Sequence, residues 1–131
     1  VRHLYEPSLR VEVYAVSGRG KGENILDKET LLSFQNFWDE IIIASEVEVD
    51  GETFRFEDER VCLGKATPAK RCQAQSLLAL WDFSRAALEA DPDVLATINA
   101  GVGPSGEVVR VEALLAGVTR DAGTGAIVSA E

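Results

Sequence analysis

Apolar and polar positions alternate early in the chain: Leu9, Val11, Val13 and Ala15 are interleaved with Arg10, Glu12 and Tyr14, the period-2 pattern of a half-buried strand. Gly18-Arg19-Gly20-Lys21-Gly22 ends that stretch as a loop, and the period then changes. Leu31, Phe34, Trp38, Ile41 and Ile42 fall on one helical stripe, which predicts a helix to about residue 44. Asp27 is a good N-cap for it, and Glu29 sits in the first turn, where the helix dipole favours a carboxylate. Val47-Glu48-Val49 and Thr53-Phe54-Arg55-Phe56 flank Asp50-Gly51, a pair that tolerates the positive φ of a two-residue hairpin turn.

The second half repeats the alternation of periods. Leu77, Leu80, Trp81, Ser84 and Leu88 form an inward stripe, predicting a second long helix from about residue 73 to 90. Asp91-Pro92 is placed to cap a shorter helix to about residue 100. A loop with Gly101, Gly103, Pro104 and Gly106 follows, then an expected strand over 107–118, a turn at 121–125 and a final strand over 126–130. Strand, helix, hairpin, helix, strand predicts an α/β (α+β) domain: a ferredoxin-like, split βαβ, open-faced sandwich. Its two main helices should lie side by side on one face of a mostly antiparallel sheet, burying Phe34, Trp38, Ile41, Leu77, Leu80 and Trp81.

Composition sets the outer limits. The 131 residues, 46% hydrophobic, are enough for one domain with a real core. A net charge of −9 repels nucleic-acid backbones and anionic membranes, so neither is expected as a partner. No apolar run approaches the ~20 residues that span a bilayer. The chain opens at Val1 rather than Met, which suits a piece cut from a longer polypeptide.

Most chemical motifs fail on inspection. The Gly18–Gly22 loop follows a strand and precedes a helix, yet Lys21 is followed by Gly22-Glu23-Asn24, not by the Ser or Thr of a phosphate-binding loop. A dinucleotide fingerprint lacks its third glycine. His3 is the one histidine, which leaves no Ser-His-Asp or Cys-His constellation away from the terminus. Glu57-Asp58-Glu59 reads as a solvated acidic edge, because a calcium loop needs six to eight oxygens at defined spacing. Trp38 and Trp81 sit on the two apolar stripes, where core packing explains them. No catalytic residue, cofactor or metal site is assigned.

The only two cysteines, Cys62 and Cys72, are separated by nine residues in a loop leading into an apolar helix. An even count in that setting points to one local disulfide and an oxidising compartment, with Gly64 and Pro68 letting the loop close. Such a bond stabilises by roughly 2.5–3 kcal/mol in the chain-entropy model. The alternative is a pair of buried free thiols. Zinc fits less well, since His3 is the nearest third ligand and a structural site needs four.

Three segments, in order, resemble Patched-like lumenal domains. Asn24-Ile25-Leu26, with Lys28-Glu29 and Leu31, resembles that family's lead-in to its first helix. The hairpin ending Thr53-Phe54-Arg55-Phe56, followed by Val61-Cys62-Leu63, is similar to the approach to its first cysteine. Pro68, Cys72, Ser76, Leu77, Leu78 and Trp81 resemble its second cysteine and the Cys-x-x-x-Ser-x-Leu-x-x-Trp/Phe helix. The family comprises Patched, Dispatched and Niemann–Pick type C transporters, the sterol-sensing branch of the resistance-nodulation-division superfamily. Its acidic residue two before the first cysteine is here Arg60, so no role of that carboxylate carries over.

The resemblance implies that residues 1–131 are a single soluble domain excised from a larger membrane protein, on its extracellular or lumenal side. It would form part of a tunnel for sterol or other lipid cargo. Its partners would be a second soluble domain and the parent's membrane helices. The domain alone should catalyse nothing and need no cofactor, and no cargo-binding residue is named. Cut free, it is expected to self-associate weakly through strand edges near 111–118 or 126–130. The alternatives are a free-standing secreted or lumenal ligand-binding module and, with no acid/base or nucleophile pair to support it, a small enzyme.

Overall fold

The computed structural model describes residues 22–56, 65–66, 71–72 and 74–131, the pairs 65–66 and 71–72 through their backbone alone. Helices and strands are mixed along it, and the class is α+β. The early strand expected over residues 9–16 lies outside the described residues.

Helix α1 (Lys28–Phe37) begins as its sequence dictates: the Asp27 carboxylate accepts from the Thr30 N–H at 2.8 Å and from the Thr30 hydroxyl at 2.9 Å. Its winding then loosens into a π-helical stretch, Trp38–Ile43. The wider turn rotates later side chains off the α-helical stripe. Leu31 is fully buried and Phe34 and Trp38 are half-buried, but Ile41 is 55% exposed, contrary to its expected place in the core. Gln35, four residues after Leu31, takes a buried place instead.

The expected helix over 73–90 is two helices with a corner between them. Leu77–Trp81 winds as a 3-10 helix capped by Ser76, whose hydroxyl accepts from the Leu78 N–H at 3.2 Å. Asp82 and Phe83 then adopt left-handed φ values of 53° and 55°. The Phe83 N–H reaches Leu78 O at 2.9 Å and the Asp82 N–H reaches Ala79 O at 3.1 Å, the paired closure of a Schellman end. Ser84 starts α2 (Arg85–Ala90) afresh by capping Ala87. Helix α3 (Val94–Ala100) is capped by Asp93, not by the expected Asp91, and ends at Gly101 with φ +64°. α1 packs along α2, and α3 packs against both the 3-10 helix and the C-terminal strand.

The described strands pair as three separate two-stranded antiparallel sheets, where the ferredoxin-like sandwich called for one sheet. β1 (Glu46–Val49) pairs with β2 (Glu52–Arg55), β3 (Lys65–Ala66) with β4 (Arg71–Cys72), and β5 (Thr119–Arg120) with β6 (Ile127–Ser129). The apolar run at 107–118 explains much of the difference. It makes one bridge, Val102 to Val108, turns at Arg110, and coils into α4 (Val111–Leu114), so it supplies no long strand. Val111, Leu114 and Leu115 have helical spacing as well as apolar character, and the helical period prevails.

The edge of β6 is occupied. Ile25 donates its N–H to Ala130 O at 2.9 Å, and Asn24 Oδ1 accepts from the N–H groups of both Leu26 and Ala130. Further along, the Asn99 side-chain amide copies a strand, accepting from Ile127 N at 2.7 Å and donating to Ile127 O at 2.9 Å. Neither segment named for self-association, 111–118 or 126–130, therefore offers a free strand edge there. The core lies between these pieces, with Leu31, Leu88 and Ile98 at its centre and Trp81 and Ile127 beside them.

Candidate functional site

Two places gather polar chemistry, and they differ in kind. The first is the junction of the helices. Asp91 Oδ2 accepts from Trp81 Nε1 at 2.7 Å and from Thr97 Oγ1 at 2.6 Å, while Oδ1 accepts from the Asp93 N–H at 2.8 Å. Lys28, at the start of α1, donates to the backbone oxygens of Glu89 and Asp91. Burial works against ionising Asp91. The hydrogen bonds from Thr97, Trp81 and Asp93, with the charge of Lys28, outweigh it and hold the carboxyl below its ordinary value. Both oxygens of this carboxylate are committed to the protein, so the junction fastens the 3-10 helix to the start of α3.

Close to it, the corner at Phe83 is held from α1. Gln35 Nε2 donates to Phe83 O at 2.9 Å and to Asp39 Oδ1 at 3.1 Å, while Gln35 Oε1 is buried with no donor among the described residues. Trp38 lies against Phe83 with ring centroids 4.6 Å apart and meets Phe56 edge-on at 5.7 Å. Trp81 is thus a core residue with a bonded indole, and Trp38 joins the hairpin to the helices. Gln35 was missed in the sequence, although a polar residue on the stripe of Leu31 and Trp38 was a visible signal.

A shallow groove of about 440 Å³ opens beside α4, floored by Ile98, Val111 and Ile127 and rimmed by Arg110 and Arg120. Arg120 is tied to Glu112 and to Gly125 O, and Asn99 is spent on Ile127. The nearby turn keeps its own carboxylate busy: Asp121 accepts from the Thr124 N–H, the Thr124 hydroxyl and the Gly123 N–H, which lower its pKa.

The second place is the limb formed by the π-helical stretch and the β1–β2 hairpin. Asp50 and Gly51 turn it with φ values of 52° and 79°, both positive as a tight primed turn demands. Every residue of β1 is exposed. Ile41, Val47 and Val49, three of the seven large hydrophobics exposed among the described residues, fall in this limb, and a fourth, Phe37, directly precedes it. Six carboxylates (Asp39, Glu40, Glu46, Glu48, Asp50 and Glu52) lie in the same stretch with no Lys, Arg or His among them. Arg55 closes the far end by pairing with Glu46.

Several of the residues singled out in the sequence fall elsewhere. His3, residues 18–21, Glu57-Asp58-Glu59 and Cys62 lie outside the described residues, and so does the expected Cys62–Cys72 bond. Of that pair only the backbone of Cys72 is described, paired with Lys65. Among the described residues no group of three His, Cys, Asp or Glu side chains is placed to hold a metal ion. No helix among them is long and apolar enough to cross a membrane. Compared with models of protein families, with curated proteins and with solved structures, the chain matches none.

Proposed function

We propose that this chain is an extracellular or lumenal domain of a Patched-like membrane transporter, one that helps enclose a path for sterol or other lipid cargo together with a second such domain. The observation that carries the reading is the work done by its motif residues. Asn24 ties the lead-in of α1 to the end of β6, Ser76 caps the 3-10 helix, and the Trp81 indole fastens that helix to Asp91. Three of the residues on which the resemblance rests therefore hold the frame, while the hairpin between them presents apolar surface outward. The domain itself is assigned no catalysis, cofactor or metal, and the Cys62–Cys72 bond belongs to the same reading.

The test is the full-length transcript and its product. Apolar spans of ~20 residues on both sides of residues 1–131 are expected, with this domain reached by protease from the extracytosolic side. A photoreactive sterol should label the intact protein and leave the isolated chain unlabelled. A transcript encoding a leader and no spans would replace the proposal with a free-standing secreted binding module. Free Cys62 and Cys72 thiols in the native protein, seen as mass added by an alkylating agent without reductant, would remove the compartment argument.

A further inference from the structure

β1 has β2 on one side, and on the other its edge pairs with nothing among the described residues. Alternate N–H and C=O groups along that edge point away from β2 and are open to another strand. The edge is also chemically sorted. Val47 and Val49 share one face of the hairpin with Phe54, which pairs directly with Val47. Glu46 and Glu48 share the other face, and Glu48 has no ion-pair partner among the described residues.

A second copy of the strand fits this edge badly. Antiparallel registers of Glu-Val-Glu-Val against itself either set Glu opposite Glu or set Glu opposite Val, and an in-register parallel pair again places Glu beside Glu. Like charges directly opposed destabilise a sheet, whereas opposite charges contribute roughly 0.2–1 kcal/mol per pair. The strand that satisfies both faces carries a cation opposite each Glu and a β-branched side chain opposite each Val. The six carboxylates of the limb extend the same preference beyond the four paired positions.

We propose that β1 is a docking edge that takes an extended protein segment alternating Lys or Arg with β-branched residues, adding it to the hairpin as a third strand. This stands apart from the transporter reading and holds whether or not that reading does. A capped peptide alternating Lys and Val is the probe. On adding it, alternate amides of Glu46–Val49 should exchange more slowly with solvent, while those of Leu88 and Ile98 keep their rates. Binding should weaken as salt is raised. Glu48→Lys, on an exposed position, should reduce affinity for this peptide about threefold to tenfold and improve binding of the matching Glu-Val peptide. Unchanged exchange at β1 would overturn the proposal. Equal binding of a scrambled Lys/Val peptide would overturn it too, because bulk attraction to a chain of charge −9 would then suffice.

Discussion

The helix junction around Trp81 and Asp91 and the hairpin limb around Val47 and Val49 both set large apolar side chains among carboxylates, and they end in opposite states. At the junction the carboxylate is turned inward and spent on an indole, a hydroxyl and a backbone N–H, so the apolar groups around it close over. In the limb Glu46 and Glu48 stand on one exposed face of the hairpin, and Val47 and Val49 on the other remain 59% and 50% exposed. Apolar content does not separate the two regions. What separates them is whether the carboxylate is turned inward onto partners from several elements or carried on an exposed strand.

Removing one buried and one exposed apolar side chain should separate the two regions most strongly. Trp81→Ala deletes a ring only 3% exposed and takes one of three hydrogen-bond donors from the Asp91 carboxylate, and should cost about 3–5 kcal/mol in a urea melt, much of the ~5–15 kcal/mol a domain holds. Similar melting midpoints for Trp81→Ala and Val47→Ala would mean the two regions are not distinguished by packing.

Asp91 sets the next largest effect. Asp91→Ala leaves Trp81 Nε1 without its acceptor and Thr97 Oγ1 with only the longer contact to Asp93 O, and should cost about 1–3 kcal/mol. Its pH dependence has a definite sign. The folded pKa is lowered, so the contribution is fully present above the unfolded carboxylate value of about 3.9 and is lost as pH falls through the folded value beneath it. Stability measured from neutral pH down to about pH 2 should therefore fall less steeply for Asp91→Asn than for the unchanged chain. Parallel acid limbs would show that the carboxylate is not ionised by its partners.

Regions whose order is set by neighbouring residues were legible in the sequence. Asp27 and Glu29 began α1 where expected, Asp50-Gly51 turned the hairpin, and residues 121–125 turned as expected through the Asp121 side chain. What was not legible depends on distant contacts. No Gly or Pro marks the corner at Asp82-Phe83. It is held by Gln35 and Trp38 from α1, so the stripe from Leu77 to Leu88 looked like one helix. The π-helical widening after Phe37 left no local signature either, and it moved Ile41 from the expected core to the surface. Asn99 reads as an ordinary polar residue until the strand it pairs with is in place, and Asn24, singled out only as part of a motif, gave no sign of the strand end it ties down. The docking edge lies in between: the Glu-Val alternation and the hairpin were visible, but the lack of a covering layer was not.

Gly51 tests whether the limb opens by itself. With φ +79° and open space around it, an added methyl meets no neighbour, so the penalty of Gly51→Ala is backbone strain alone. That penalty should be about 1–2 kcal/mol for a left-handed position. If hairpin and junction are separate cooperative units, native-state hydrogen exchange should speed up in β1 and β2 while Leu88 and Ile98 keep their protection. Equal acceleration at all four places would join the two regions into one unit.

The smallest effect is also the most diagnostic. Val47 and Val49 are 59% and 50% exposed, so exchanging both for Thr keeps β-branching and strand propensity while removing little buried area. Global stability should stay within about 0.5 kcal/mol, the range of surface substitutions. The apolar face that the limb turns outward would meanwhile be lost, and the alternating Lys-Val peptide should bind the double variant less well than the unchanged chain. A hairpin whose valines served its own fold would show the reverse: a measurable loss of stability, with peptide binding left to the glutamates alone. Melting and titration of the same double variant separate the two, because stability reports what the limb does for the domain and binding reports what its uncovered face does for a partner.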